Sequence, residues 1–110
     1  MSYKIEVTNN FKKEAKKLVK KYPSLKNELK ELDKSLSENP EQGTHMGNGI
    51  YKIRMAVKSK GKGIRGGARV MSKVKIIKET VYLFSIYSKG EKDSITDKEI
   101  KDLIKKIPED

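Results

Sequence analysis

Apolar and polar residues change their spacing several times along this chain, and each change marks an element. Tyr3, Ile5 and Val7 alternate with Lys4, Glu6 and Thr8, the period of a half-buried strand. With Asn9 or Asn10 as its cap, a helix follows that gathers Phe11, Ala15, Leu18, Val19 and Tyr22 on one face until Pro23 stops it. Ser24 can cap a second helix, where Leu25, Leu29, Leu32 and Leu36 recur at spacings of four, three and four before Asn39-Pro40. The two helices read as a hairpin laid on a sheet, with lysines on its solvated outer face.

The segment 41–49 holds Gly43, Gly47, Gly49 and the only histidine, His45. Beyond it the period returns to two. Tyr51, Ile53, Met55 and Val57 point one way, and Lys52, Arg54, Ala56 and Lys58 the other. A glycine-rich basic loop leads into a strand expected over 68–77, with Arg69, Met71, Lys73 and Lys75 on one side. Glu79-Thr80 predicts a turn. Residues 81–88 form the most apolar strand, with Tyr82, Phe84 and Ile86 on one face and Val81, Leu83, Ser85 and Tyr87 on the other, which calls for an interior position in the sheet. Thr96 and Glu99 make a capping box, Ile95 and Ile100 a hydrophobic staple, and Ile100, Leu103, Ile104 and Ile107 a buried stripe ahead of Pro108. The expected fold class is α+β: a mainly antiparallel sheet backed by an N-terminal helical hairpin and a C-terminal helix.

A chain of 110 residues without an internal repeat reads as one domain over 1–110. Absence of cysteine removes disulfides, thiolate nucleophiles and cysteine-ligated zinc. No apolar run approaches the roughly 20 residues of a membrane span, and no signal-peptide core opens the chain, so the expectation is a cytoplasmic protein without a membrane partner. Net charge is +11, and its distribution matters more than its size. Residues 51–92 carry 12 basic and 2 acidic side chains, whereas residues 93–110 carry 4 and 6. A cationic middle implies a polyanionic partner, nucleic acid first.

Gly61-Lys-Gly-Ile-Arg-Gly66 spells the glycine fingerprint of dinucleotide-binding folds, yet a strand follows where that fingerprint needs a helix N-terminus for the pyrophosphate. What remains is a loop whose backbone can approach phosphates, with Lys58, Lys60, Lys62 and Arg65 supplying charge. Glu79 and Glu91 are the only acids across the basic segment, too few for a two-metal nuclease site, and no cofactor is called for. A single histidine cannot form a pair; His45 remains a weak acid–base candidate. Cations supply the other route to phosphodiester cleavage. An RNA 2′-hydroxyl can attack its own phosphate while arginine and lysine stabilise the developing charge, and crowding lysines together favours a neutral amine.

Gly49-Ile-Tyr-Lys-Ile-Arg54, Ser59-Lys-Gly-Lys-Gly63, Gly66-Gly-Ala-Arg-Val70 and Tyr82-Leu-Phe-Ser-Ile-Tyr-Ser-Lys89 resemble the RelE/ParE toxin superfamily, most of all its HigB-like branch, and the element order agrees over nearly the whole chain. The resemblance implies a type II toxin that cleaves mRNA on the ribosome without a metal and is held inactive by a cognate antitoxin. By motif position Lys52 and Arg54 match the basic pair of the second strand, Arg69 the arginine opening the third, and Lys89 the basic residue after the last, with Tyr87 a further participant. Lys58, Lys60, Lys62, Arg65, Lys73 and Lys75 would then grip mRNA or ribosomal RNA. The family's type member carries a catalytic tyrosine in its C-terminal segment, and residues 93–110 contain none, which leaves the general acid or base open. A ParE-like DNA gyrase inhibitor without nuclease activity is the alternative from another class, and an inactive member that only binds antitoxin or RNA is a third.

Overall fold

Periodicity is realised as a five-stranded sheet covered on both faces. The structure, a computed structural model, describes residues 2–109. In chain order it contains β1 (Lys4–Val7), α1 (Asn9–Lys21), α2 (Leu25–Glu38), β2 (Thr44–His45), β3 (Ile50–Met55), a 3-10 turn over Lys58–Lys60, β4 (Ala68–Lys75), β5 (Thr80–Ser88) and α3 (Asp97–Ile104). The strand order is β1-β5-β4-β3-β2. β1 runs parallel to β5 and the other three pairs are antiparallel, as a crossover through a helical hairpin and short reversals require.

The hairpin face buries Phe11, Leu18, Leu25, Leu32 and Leu36 against Tyr51, Ile53, Val70, Val74, Val81, Leu83 and Ile86. On the opposite face, Ile95, Ile100 and Ile107 pack on Ile50, Met71, Phe84 and Tyr87. Each of these side chains, fully buried, contributes about 1.5–3 kcal/mol of transfer free energy, so the α3 side is the smaller of two cores. The capping box is formed: the Glu99 N–H donates to Thr96 Oγ1 and the Thr96 N–H to Glu99 Oε1, each at 3.1 Å. Among the described residues no helix is long and apolar enough to cross a membrane.

Several expectations are corrected. The cap of α1 is Thr8, whose Oγ1 accepts the Phe11 N–H at 3.2 Å; Asn9 and Asn10 already lie inside the helix. Ser24 does stand at the N-cap position of α2, but with a helical backbone and no side-chain capping bond. Its hydroxyl instead meets Ser59 Oγ at 2.8 Å and, at 3.2 Å, donates to Glu28, tying α2 to the basic loop. β2 is an extra strand of two residues, too short to show a period. β3 stops at Met55, short of Val57 and Lys58, and β4 stops at Lys75 because Ile76 and Ile77 enter the turn, where they are 66% and 86% exposed. Thr80 belongs to β5, not to a turn.

The correction of most consequence lies in β5. Met71 faces Ser85 while Ser72 faces Leu83, so Phe84 has no opposite number and the strand carries a bulge. Side-chain parity reverses there. Ile86 joins Val81 and Leu83 under the hairpin, and Tyr87 joins Tyr82 and Phe84 on the α3 side, the reverse of strict alternation for both Ile86 and Tyr87.

Candidate active site

Register places a row of three side chains across the sheet. Arg54 of β3 lies directly opposite Arg69 of β4, and Arg69 directly opposite Tyr87 of β5. Lys52, two residues before Arg54 and therefore on the same face, is opposite Met71. α3 and the segment before it cover Ile50, Met71 and Phe84, whereas Arg54 is exposed and Lys52 half-buried at their border. Neither Lys52 nor Arg54 has a hydrogen-bonding or ionic partner among the described residues.

Arg69 is buried, only 6% exposed, and among the described residues no carboxylate meets it. Its Nη1 donates to the carbonyls of Ile64 at 3.0 Å and Ala68 at 3.1 Å, and its Nη2 to the Arg65 carbonyl at 3.0 Å. Dipoles alone therefore hold this charge, and the glycine loop is folded back over the strand that starts at Ala68. Close approach at the same corner explains Gly67: a Cβ there would lie 1.9 Å from the Met55 carbonyl oxygen. The Gly67 carbonyl accepts the Lys89 N–H at 2.9 Å, so the loop closes on both neighbouring strands.

Tyr87 has a buried ring and a hydroxyl without a hydrogen-bond partner among the described residues. The Lys92 ammonium lies 5.8 Å from the ring centroid and also pairs with Glu99, whose carboxyl is held below its ordinary pKa first by that ammonium. Lys89, expected at the site, has its ammonium on the Asp93 carboxylate at 2.7 Å and on the Asp93 carbonyl at 2.9 Å. That contact lowers the Asp93 pKa. His45 lies on β2 beside Tyr51, ring centroids 4.9 Å apart, on the hairpin face and away from the row.

The basic loop divides in two. Lys58, Lys62 and Arg65 are exposed. Lys60 turns inward: its ammonium donates to Ser88 Oγ at 2.7 Å and to the Lys89 carbonyl, and lies 5.7 Å from the Tyr22 ring centroid. It fastens the loop to the end of β5. Lys73 and Lys75 lie toward the other end of β4, where with Lys98, Lys101 and Lys105 they line a groove of about 470 Å³ under α3, and the Lys73 ammonium also donates to the Asn48 carbonyl. This groove is thus separate from the Arg54 row.

Chemically the row offers two guanidinium groups, an ammonium and a phenol, with no acid on β3 or β4. Like charges placed directly opposite across a strand pair are unfavourable, and an anion between them removes the penalty. Such a donor set binds a phosphodiester and stabilises charge developing on it. Among the described residues no group of three or more histidine, aspartate or glutamate side chains is placed to hold a metal ion. Sequence reading did not find Lys92, which reaches Tyr87 only through the path of the loop before α3, nor Asn10 and Glu14, which touch β5 from α1.

Comparison with known proteins agrees with this architecture. The model of the RelE toxin family, described as the RelE toxin of the RelE/RelB toxin–antitoxin system, matches residues 3–109, with no branch distinguished. No curated protein sequence matches the chain. Among solved structures, an arginine-to-alanine double mutant of the Escherichia coli toxin RelE in the free state superposes with a TM-score of 0.65 at 20% identity, covering 98% of this chain and 100% of that one. That likeness concerns the fold.

Proposed function

The chain belongs to the RelE toxin family, and from that premise we propose that this toxin is a ribosome-dependent endoribonuclease cutting translated mRNA by metal-independent attack of the 2′-hydroxyl. Membership of a toxin–antitoxin family implies an antitoxin partner; ribosome and mRNA belong to the proposal. The observation that carries it is the row Arg54, Arg69, Tyr87 with Lys52 beside it, a cationic row whose strands β3 and β4 bear no acid.

In this reading Arg54 takes the non-bridging oxygens of the scissile phosphate, the buried Arg69 adds its positive field from the loop corner, and Lys52 stabilises the attacking oxygen. The 2′-oxygen bonds to phosphorus, its proton passes to solvent, and the bond to the 5′-oxygen breaks. Tyr87 gives the leaving oxygen its proton, because Lys89 is held by Asp93 while the Tyr87 hydroxyl is uncommitted. Lys58, Lys62 and Arg65 contact RNA backbone, and the enclosing ribosome supplies the remaining positioning.

The test is to map cleavage of an mRNA with and without translating ribosomes, using wild type and Arg54→Ala. Loss of one charge-stabilising donor should lower kcat on the order of 100-fold. Intact mRNA together with inhibition of gyrase supercoiling would instead establish the alternative activity.

A further inference from the structure

β1 accompanies β5 only as far as Leu83. Val7 is its last paired residue, the Thr8 N–H donates to the Leu83 carbonyl at 3.0 Å, and the chain then turns into α1. From Phe84 onward no strand among the described residues lies beside the outer edge of β5, and α1 supplies side chains in place of backbone. Asn10 Nδ2 donates to the Phe84 carbonyl at 3.0 Å. Glu14 Oε1 accepts the Ile86 N–H at 3.3 Å and the Ser85 hydroxyl at 2.9 Å, and Asn10 Nδ2 donates to the same oxygen at 2.7 Å. One carboxylate oxygen therefore gathers three donors around the bulge, a strong arrangement because the acceptor carries charge.

The bulge decides where Tyr87 points. Strict alternation from Leu83 would put Tyr87 under the helical hairpin, because one residue of slip moves a side chain to the other face. The extra residue at Phe84 brings it opposite Arg69 instead. Glu14 itself sits on the hairpin side and makes no contact with Arg54 or Arg69.

We propose that Glu14, aided by Asn10, is a positioning residue of this enzyme: its carboxylate holds the bulge over 84–86 and thereby sets the Tyr87 hydroxyl in line with Arg54 and Arg69. This inference rests on the role given to Tyr87 above. It assigns a catalytic consequence to a polar cluster that otherwise reads as helix-to-sheet packing.

The experiment measures mRNA cleavage on translating ribosomes for wild type, Glu14→Gln, Glu14→Ala, Tyr87→Phe and Glu14→Ala/Tyr87→Phe, with hydrogen exchange at the Ile86 amide. Glu14→Ala should lower kcat on the order of 10-fold to 100-fold, the cost of misplacing a reacting group, with KM within about twofold. Glu14→Gln, which keeps an acceptor oxygen, should fall between wild type and Glu14→Ala. In the Tyr87→Phe background the Glu14→Ala change should cost nothing further, and Ile86 exchange should accelerate by about tenfold or more in Glu14→Ala. An equal fractional loss in both backgrounds, or full activity of Glu14→Ala beside an impaired Tyr87→Phe, overturns this inference alone. A wild type that cuts no mRNA, or a fully active Tyr87→Phe, overturns the reading of the row and this inference with it. Should Glu14→Ala not fold, Asn10→Ala takes its place with the same pattern expected and the same outcomes decisive.

Discussion

Arg54 and Arg69 occupy directly opposed positions on β3 and β4, yet only Arg54 is exposed; the Arg69 guanidinium is turned into the glycine loop and spent on three carbonyl oxygens. Two cations at one register position thus have different duties. Arg54 offers charge to a ligand, and Arg69 builds the corner from which that charge is presented while keeping its own positive field at the site.

Removal of Arg54 should separate function from stability. Because it faces a like charge and has no partner of its own among the described residues, Arg54→Ala should unfold at a urea concentration no lower than wild type while cleavage is lost. A fall in both together would mean that Arg54 is structural.

Arg69→Ala should behave otherwise. Three carbonyls lose their donor, of which the Ala68 contact is buried, so the variant should be destabilised by about 1–3 kcal/mol, the cost of a buried polar group left unsatisfied. Urea unfolding measures the loss, and exchange of the amides over 61–67 should rise with it. For this reason Arg69→Ala is a poor test of catalysis, and Arg54→Ala a better one.

The two lysines of the loop should give different signatures. Lys62 is exposed, and Lys62→Ala should reduce the slope of log binding constant against log salt by about 1 in ribosome co-sedimentation. Lys60→Ala removes the tie to Ser88 and the Lys89 carbonyl, so it should lower stability and leave the slope nearly unchanged.

Acidification should loosen α3 through Glu99. Its carboxyl is held below its ordinary pKa by Lys92 first and by the Thr96 backbone N–H next. A depressed folded-state value means that the stabilisation is present above the unfolded pKa, about 4.3, and is lost as pH falls through the folded value. Wild type should therefore lose stability more steeply than Glu99→Gln between about pH 4.5 and the folded-state value, with the two curves parallel at pH 6 to 7. Equal curves throughout would show that the capping box contributes nothing titratable.

Local signals in the sequence determined much of this protein. The capping box at Thr96 and Glu99 lies within a single turn, and the alternation of Tyr51 to Arg54 and of Arg69 to Lys75 fixed which sides of β3 and β4 are apolar and which cationic. What depended on distant partners was decided by the tertiary structure. Alternation along residues 81–88 is continuous in sequence, and only pairing with β4 exposes the bulge at Phe84, held by Glu14 and Asn10 from more than 70 residues away. Inward rotation of Lys60 depends in the same way on Ser88, and the burial of Arg69 on carbonyls supplied by the fold of a glycine loop. Chain order records which residue types are available at each face. Only the register of the assembled sheet says which of them meet, because one residue of slip in one strand exchanges the two faces for everything that follows.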